Sequence, residues 1–397
     1  MTTHPLHSVA MKSQAVSFKA LPPLSLYIHI PWCVRKCPYC DFNSHEARGS
    51  LPEREYVAAL IRDLELALPL VWGRKVYTVF IGGGTPSLLS GDSVAEILRN
   101  VRMLLPLDLG AEITLEANPG TVEAGRFAAY SEAGVNRLSI GIQSFNNTHL
   151  QALGRIHSAD EAKRAIAIAQ QRFDNLNLDL MYALPEQTLE QALQDMQTAL
   201  SFAPQHLSCY HLTLEPNTLF HRNPPPLPDD DASSEMQQRI EGMLAAHGYQ
   251  HYETSAFAQP KRRARHNLNY WQFGDYLGIG AGAHSKLSFP DKVIRQARYR
   301  QPQAYMQQVA KDAPIQTENE VSRDELGFEF MMNALRLNEG FDSVLFQERT
   351  SLPLLIIQRE LAEAEKRGLL IRDHQRIVPT QMGQRFLNDL LGIFLQR

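Results

Sequence analysis

"LSLYIHIPWCVRKCPYCDF", residues 24–42, joins a strand-like run to three closely spaced cysteines. The first seven residues, LSLYIHI (24–30), are rich in apolar and β-branched side chains, as in a strand buried on both faces. Pro31 ends the run, and Cys33, Cys37 and Cys40 follow with the spacing C-x3-C-x2-C. A structural zinc site closes with four protein ligands, so three thiols leave one position for a ligand from elsewhere. Three thiolates on one loop suit three irons of a four-iron cluster, whose fourth iron stays open to an exogenous amine and carboxylate. A zinc ion completed by Asp41 or His45 is the alternative. Cys209, the remaining cysteine, falls inside a strand-like run and reads as a buried apolar filler. So few cysteines make no disulfide framework, which points to the cytoplasm.

Outward from this stretch the chain alternates strand and helix patterns. Strands are expected at 24–30, 77–83, 111–117, 136–144, 176–184 and 206–214, with helices at 53–67, 92–104, 121–133, 158–171 and 188–201. Thr121, Ser158 and Thr188 are the expected N-caps of the last three helices. Regular βα repetition predicts a parallel sheet, and six units predict an α/β fold built on a partial (β/α)6 TIM-like barrel. The polar and glycine-rich residues then gather at the C-terminal ends of the strands: the cysteines, GGGTP (82–86), Glu116 and Gln143. In a βα-barrel that rim carries the active site. The expected division is a flexible tail over 1–22, a barrel with an α/β extension over 23–290, a linker over 291–319, and a small domain over 320–397. The last is read as mostly helical and winged-helix-like, with helices at 324–337, 351–367 and 380–395 and a two-strand element at 368–380.

With 44% hydrophobic and 21% charged residues the chain is an ordinary globular protein, and its net charge of -4 argues against binding nucleic acid through bulk electrostatics. No apolar run is long enough for a transmembrane segment.

The cysteine spacing, with Tyr39 before the last cysteine and a barrel strand ahead of the first, resembles the radical S-adenosylmethionine (SAM) superfamily. There the open iron of a 4Fe-4S cluster binds the amino and carboxylate groups of SAM. YIHIPWC, CPYCDF, IGGGTPS, GIQSF and LDLMYALP sharpen the resemblance to the coproporphyrinogen dehydrogenase (HemN) group, over about residues 24–395. It implies SAM contacts at Tyr27, Gly83, Gly84, Thr85, Glu116, Gln143, Arg155 and Asp179. The dehydrogenases of that group carry a fourth cysteine two positions after the third, where this chain has Phe42.

HNLNYW (266–271) instead matches the H-N-x-x-Y-W signature of the HemW-type haem chaperones. Imidazole is a good axial ligand for haem iron and aromatic rings pack on a macrocycle, so His266, Tyr270 and Trp271 are the expected haem site. The basic run KRRAR (261–265) is placed to meet haem propionates, and His284 is the next candidate iron ligand. The resemblance implies haem-accepting apo-proteins and an electron donor as partners, and haem transfer as the function. Radical decarboxylation of coproporphyrinogen is the alternative.

Overall fold

The computed structural model describes residues 16–121 and 124–395. Six strands, β1 (Leu24–Ile30), β2 (Val76–Gly83), β3 (Leu107–Ala117), β4 (Arg137–Gln143), β5 (Leu176–Tyr182) and β6 (His206–His211), pair in parallel and in sequence order. Helices α1 (Glu53–Val71), α2 (Gly91–Leu104), α3 (Ala124–Ala133), α4 (Ala159–Gln170) and α5 (Leu189–Ser201) connect them in turn. Leu24, Leu26, Ile28 and Ile30 of β1 are all buried, as are Ser25 and His29 on its opposite face. That pattern requires cover on both sides, which the barrel gives.

Ser158 and Thr188 cap α4 and α5 as expected, each closing a capping box with Glu161 or Gln191 three residues on. The expected cap at Thr121 falls in a short 3-10 turn, Pro119–Thr121, ahead of α3, and its side chain and residues 122 and 123 lie outside the described residues.

The barrel does not close. β6 is followed at one edge by the hairpin β7 (Gln250–Glu253) and β8 (Ala256–Ala258). At the other edge β1 pairs in parallel with β9 (Asp275–Ile279), which continues into antiparallel β10 (His284–Ser288), β11 (Val293–Arg298) and β12 (Ile315–Glu320). Residues 291–319 are therefore not a linker. They form two strands of the main sheet, with helix α8 (Pro302–Val309) between them. Buried Arg298 of β11 reaches Asp63 of α1 at 3.3 Å, and Tyr305 of α8 donates to the same carboxylate at 2.9 Å.

Helices α9 (Arg323–Ala334), α10 (Ser343–Thr350), α11 (Gln358–Lys366) and α12 (Leu387–Phe394) build the C-terminal unit, with a three-stranded sheet that contains the expected pair at 370–379. Its core gathers around Phe330, Phe341 and Phe346, and Phe273 and Val293 of the barrel extension enter the same core. The first 15 residues lie outside the described residues. Residues 16–18, assigned to a loose tail, are fastened down: Ser17 N–H donates to Ser351, and Phe18 N–H to the Pro290 carbonyl. Among the described residues no helix is long and apolar enough to cross a membrane.

Candidate cofactor cleft at the barrel mouth

The cysteine loop leaves β1 and is pinned at several points. Trp32–Cys33 pairs with His45–Glu46 as a short two-stranded ribbon, and Cys40 N–H bonds the Cys37 carbonyl at 3.1 Å. His29 Nε2 lies 2.9 Å from the Asn43 carbonyl, and the Tyr27 hydroxyl lies 2.9 Å from His29 Nδ1. The three thiols are partly exposed, whereas Cys209 is buried beside Met196, as expected for a filler. Burial pushes the Cys33 and Cys40 thiols up, with the neighbouring cysteines adding to the effect, so the three sulfurs feel one another. Arg155 Nη1 approaches Cys37 Sγ at 3.7 Å, Nη2 donates to the Gly141 carbonyl at 2.9 Å, and its buried Nε has no partner. Arg155 is thus no surface charge but a cation held against the cysteine loop. Among the described residues no three His, Cys, Asp or Glu side chains, the loop cysteines included, are grouped to hold a single metal ion. Three thiols, a neighbouring cation and no fourth protein donor fit a cluster with one open iron.

The glycines after β2 owe their presence to close packing. A Cβ on Gly84 would stand 2.5 Å from the Trp32 carbonyl oxygen, and one on Gly83, whose φ is +117°, would stand 2.6 Å from the His29 ring. Gly84 therefore packs under the cysteine loop, and Thr85, buried next to it, hydrogen-bonds Cys33. Gly83 N–H donates to Glu116 Oε2 at 3.0 Å. Burial, and then the charge of Asp179, raise the Glu116 carboxyl to about 8. Asp179 accepts from Ser139 at 2.9 Å and from Asn177 at 2.9 Å. Gln143, with φ +67°, turns the chain at the end of β4, and its amide lies over Gly141 beside Arg155.

Tyr27, Gly83 and Glu116 open onto one cleft of about 690 Å³. Its opposite wall comes from residues that sequence reasoning missed or left in the presumed linker: Tyr276, Ala297, Arg298, Arg300 and Thr317. Phe42 and Asn43 close it on the cysteine side, and His284 stands exposed in it. No local pattern announces these wall residues, because each strand of the extension contributes only one or two of them.

The H-N-x-x-Y-W segment, the expected haem site, is helical. It forms α7 (Arg265–Trp271), which plugs the base of the barrel. His266 is 1% exposed, with Nδ1 2.7 Å from the Thr78 hydroxyl and Nε2 3.1 Å from the Tyr270 hydroxyl. Burial holds its pKa at about 3. Glu112 accepts from the backbone N–H of both Arg265 and His266, and Asn269 reaches Ser25 at 2.9 Å. An iron at His266 would need a nitrogen already hydrogen-bonded beneath the rings of Phe80 and Tyr270, so this conformation does not offer His266 as a ligand. Tyr270 does line the cleft from below. Trp271 faces the other way, under the Arg336 guanidinium at 4.4 Å. The basic run is also committed elsewhere: Arg263 forks onto Glu339, and Arg265 donates to the Gly110 carbonyl at 2.6 Å.

Residues 27–199 match the Radical SAM superfamily model and residues 321–386 the HemN C-terminal domain. The fold superposes on the structure of coproporphyrinogen III oxidase (HemN) from Escherichia coli with a TM-score of 0.80, covering 94% of this chain and 90% of that one at 24% identity. In sequence the chain is 51% identical to the heme chaperone HemW of Escherichia coli (94% of this chain, 99% of the relative) and 46% identical to that of Haemophilus influenzae (94% and 98%). It is 37% identical to the mitochondrial radical S-adenosyl methionine domain-containing protein 1 of Bos taurus, over 94% of this chain and 87% of the relative. Identity at this level along almost the whole of both chains places the protein in the HemW family of the radical SAM superfamily.

Proposed function

We propose that the protein is a haem chaperone that takes up haem, carries a SAM-liganded 4Fe-4S cluster at its barrel mouth, and passes the haem to acceptor apo-proteins in the cytoplasm. The end-to-end likeness to HemW heme chaperones carries this reading. Cys33, Cys37 and Cys40 would hold three irons of the cluster. Glu116 and Asp179 supply negative charge for the SAM ammonium and sulfonium, and Tyr27 and the Gly83 backbone border the same space. Arg155, through its contact with Cys37, would stand beside the cluster, with Gln143 next to it. Gly84 and Thr85 act on the cysteine loop itself, by packing and by the bond to Cys33. When bound, cluster and SAM would supply a reducible centre, served by an external electron donor.

A second reading, oxidative decarboxylation of coproporphyrinogen, is favoured by the fold shared with HemN. Against it, Phe42 stands where the dehydrogenases of the resembled group carry a cysteine. One sample tests both. Protein reconstituted anaerobically, assayed for iron and sulfide and then titrated with haem, should keep a Soret band through gel filtration and lose it to an apo-haemoprotein added afterwards. A protein that retains no haem but converts coproporphyrinogen under reducing conditions would reverse the assignment.

A further inference from the structure

His266 is buried and hydrogen-bonded in the barrel base, whereas the cleft at the mouth is open and has the chemistry that haem needs. A haem presents two apolar faces, an iron that wants a neutral nitrogen or sulfur donor, and two carboxylates. The cleft volume of about 690 Å³ falls within the range of cofactor and small-molecule sites. Two histidines line it. The ring of His29 is engaged on both nitrogens, by Tyr27 and by the Asn43 carbonyl. His284 is exposed, and its ring makes no hydrogen bond with any described residue.

His284 is also held in place. It opens β10, pairs across the ladder with Ala297 of β11, and follows a turn in which Gly282 packs against the Asn43 side chain. Phe42 is 60% exposed at the cleft edge and offers it an apolar surface, and Tyr276 offers a second ring on the far wall. Of the arginines on that wall, Arg298 is neutralised by buried Asp63. Arg300 is exposed, and its guanidinium meets no carboxylate among the described residues.

We propose that haem is received in the outer part of this cleft, with His284 as its iron ligand, Phe42 against one face and Arg300 at a propionate. SAM would occupy the inner part, against Glu116 and Gly83, so that cargo and cofactor are neighbours. The assignment rests on the haem-chaperone reading and adds the place and the ligand.

The test is haem titration of the reconstituted holoprotein. His284→Ala should weaken haem binding by about tenfold or more and shift the Soret maximum. Its cluster iron and SAM affinity should equal the parent's, and added imidazole should restore the parent spectrum. Arg300→Ala should weaken binding by up to about fivefold and flatten its salt dependence. If His284→Ala binds haem with the parent's affinity and spectrum, this site is wrong while the chaperone reading stands. Should the parent itself take up no haem, the chaperone reading fails and the site with it.

Discussion

At Glu116 the carboxyl keeps its proton up to about pH 8, because burial and then the charge of Asp179 outweigh the Gly83 N–H and the Arg137 cation that favour the anion. The folded chain thus holds a proton that the unfolded chain releases near 4.5, so without ligand Glu116 costs stability as pH rises from about 4.5 to about 8. A cationic ligand reverses the preference and expels the proton. SAM affinity is therefore expected to rise as pH climbs toward 8, by as much as about tenfold per unit, and to level off above it. Calorimetry in buffers of different ionisation enthalpy should detect about one proton released near pH 7. Glu116→Gln keeps an acceptor for Gly83 N–H and should remove both the pH slope and the release. A flat profile in the parent would mean that no cation docks at Glu116. The thiols give a separate check on the cluster. Cys33→Ala, Cys37→Ala and Cys40→Ala should each lose most reconstituted iron, whereas Cys209→Ala, buried in β6 against Met196, should keep it.

The helix α7 shows how a chemically suggestive segment can do structural work. Its histidine, asparagine and tyrosine are spent on Thr78, Ser25 and the cleft floor, which ties β1, β2 and β9 together at the base of the barrel. His266→Ala removes two buried hydrogen bonds and leaves a void, and a loss of about 2–4 kcal/mol in denaturant unfolding is expected. Because His266 stays neutral down to about 3 while an unfolded histidine protonates near 6.5, this part of the stability is present above pH 6.5 and is lost as pH falls toward 3. A fully stable variant would show that the plug is dispensable. Much of this architecture is legible in the chain alone. β1, β2 and β5 announce themselves by apolar runs bounded by glycine or proline, and Ser158 and Thr188 by their capping partners three residues on. β12 does not, because IQTENE forms an exposed edge strand with polar side chains on both faces. β11 hides a buried arginine whose partner, Asp63, lies 235 positions away. The cysteine site is legible because its three thiols lie on one loop. The cleft wall is not, since β9, β10, β11 and β12 assemble it only after the sheet has formed.

For the whole molecule, the cysteine loop and the extension are parts of one frame rather than neighbours. Asn43 donates from its side-chain amide to the Ala281 carbonyl at 2.9 Å and to the Arg300 carbonyl at 2.9 Å, so one residue of the cluster loop holds both ends of the segment that carries His284. At the other end, Phe273 and Val293 of the extension sit in the core of the C-terminal unit, and Ser17 and Phe18 strap across both. The haem pocket proposed above then has one wall whose position depends on a loop that the iron–sulfur cluster would brace. Apo-protein is expected to bind haem several-fold more weakly than reconstituted protein, and Asn43→Ala should abolish that difference; equal affinities in the two parent forms would show that loop and pocket are uncoupled. Such a linkage imposes an order on maturation. A copy still waiting for its iron and sulfide would take up haem less readily, and an oxidant that destroys the cluster would turn cargo loading down without any separate sensor.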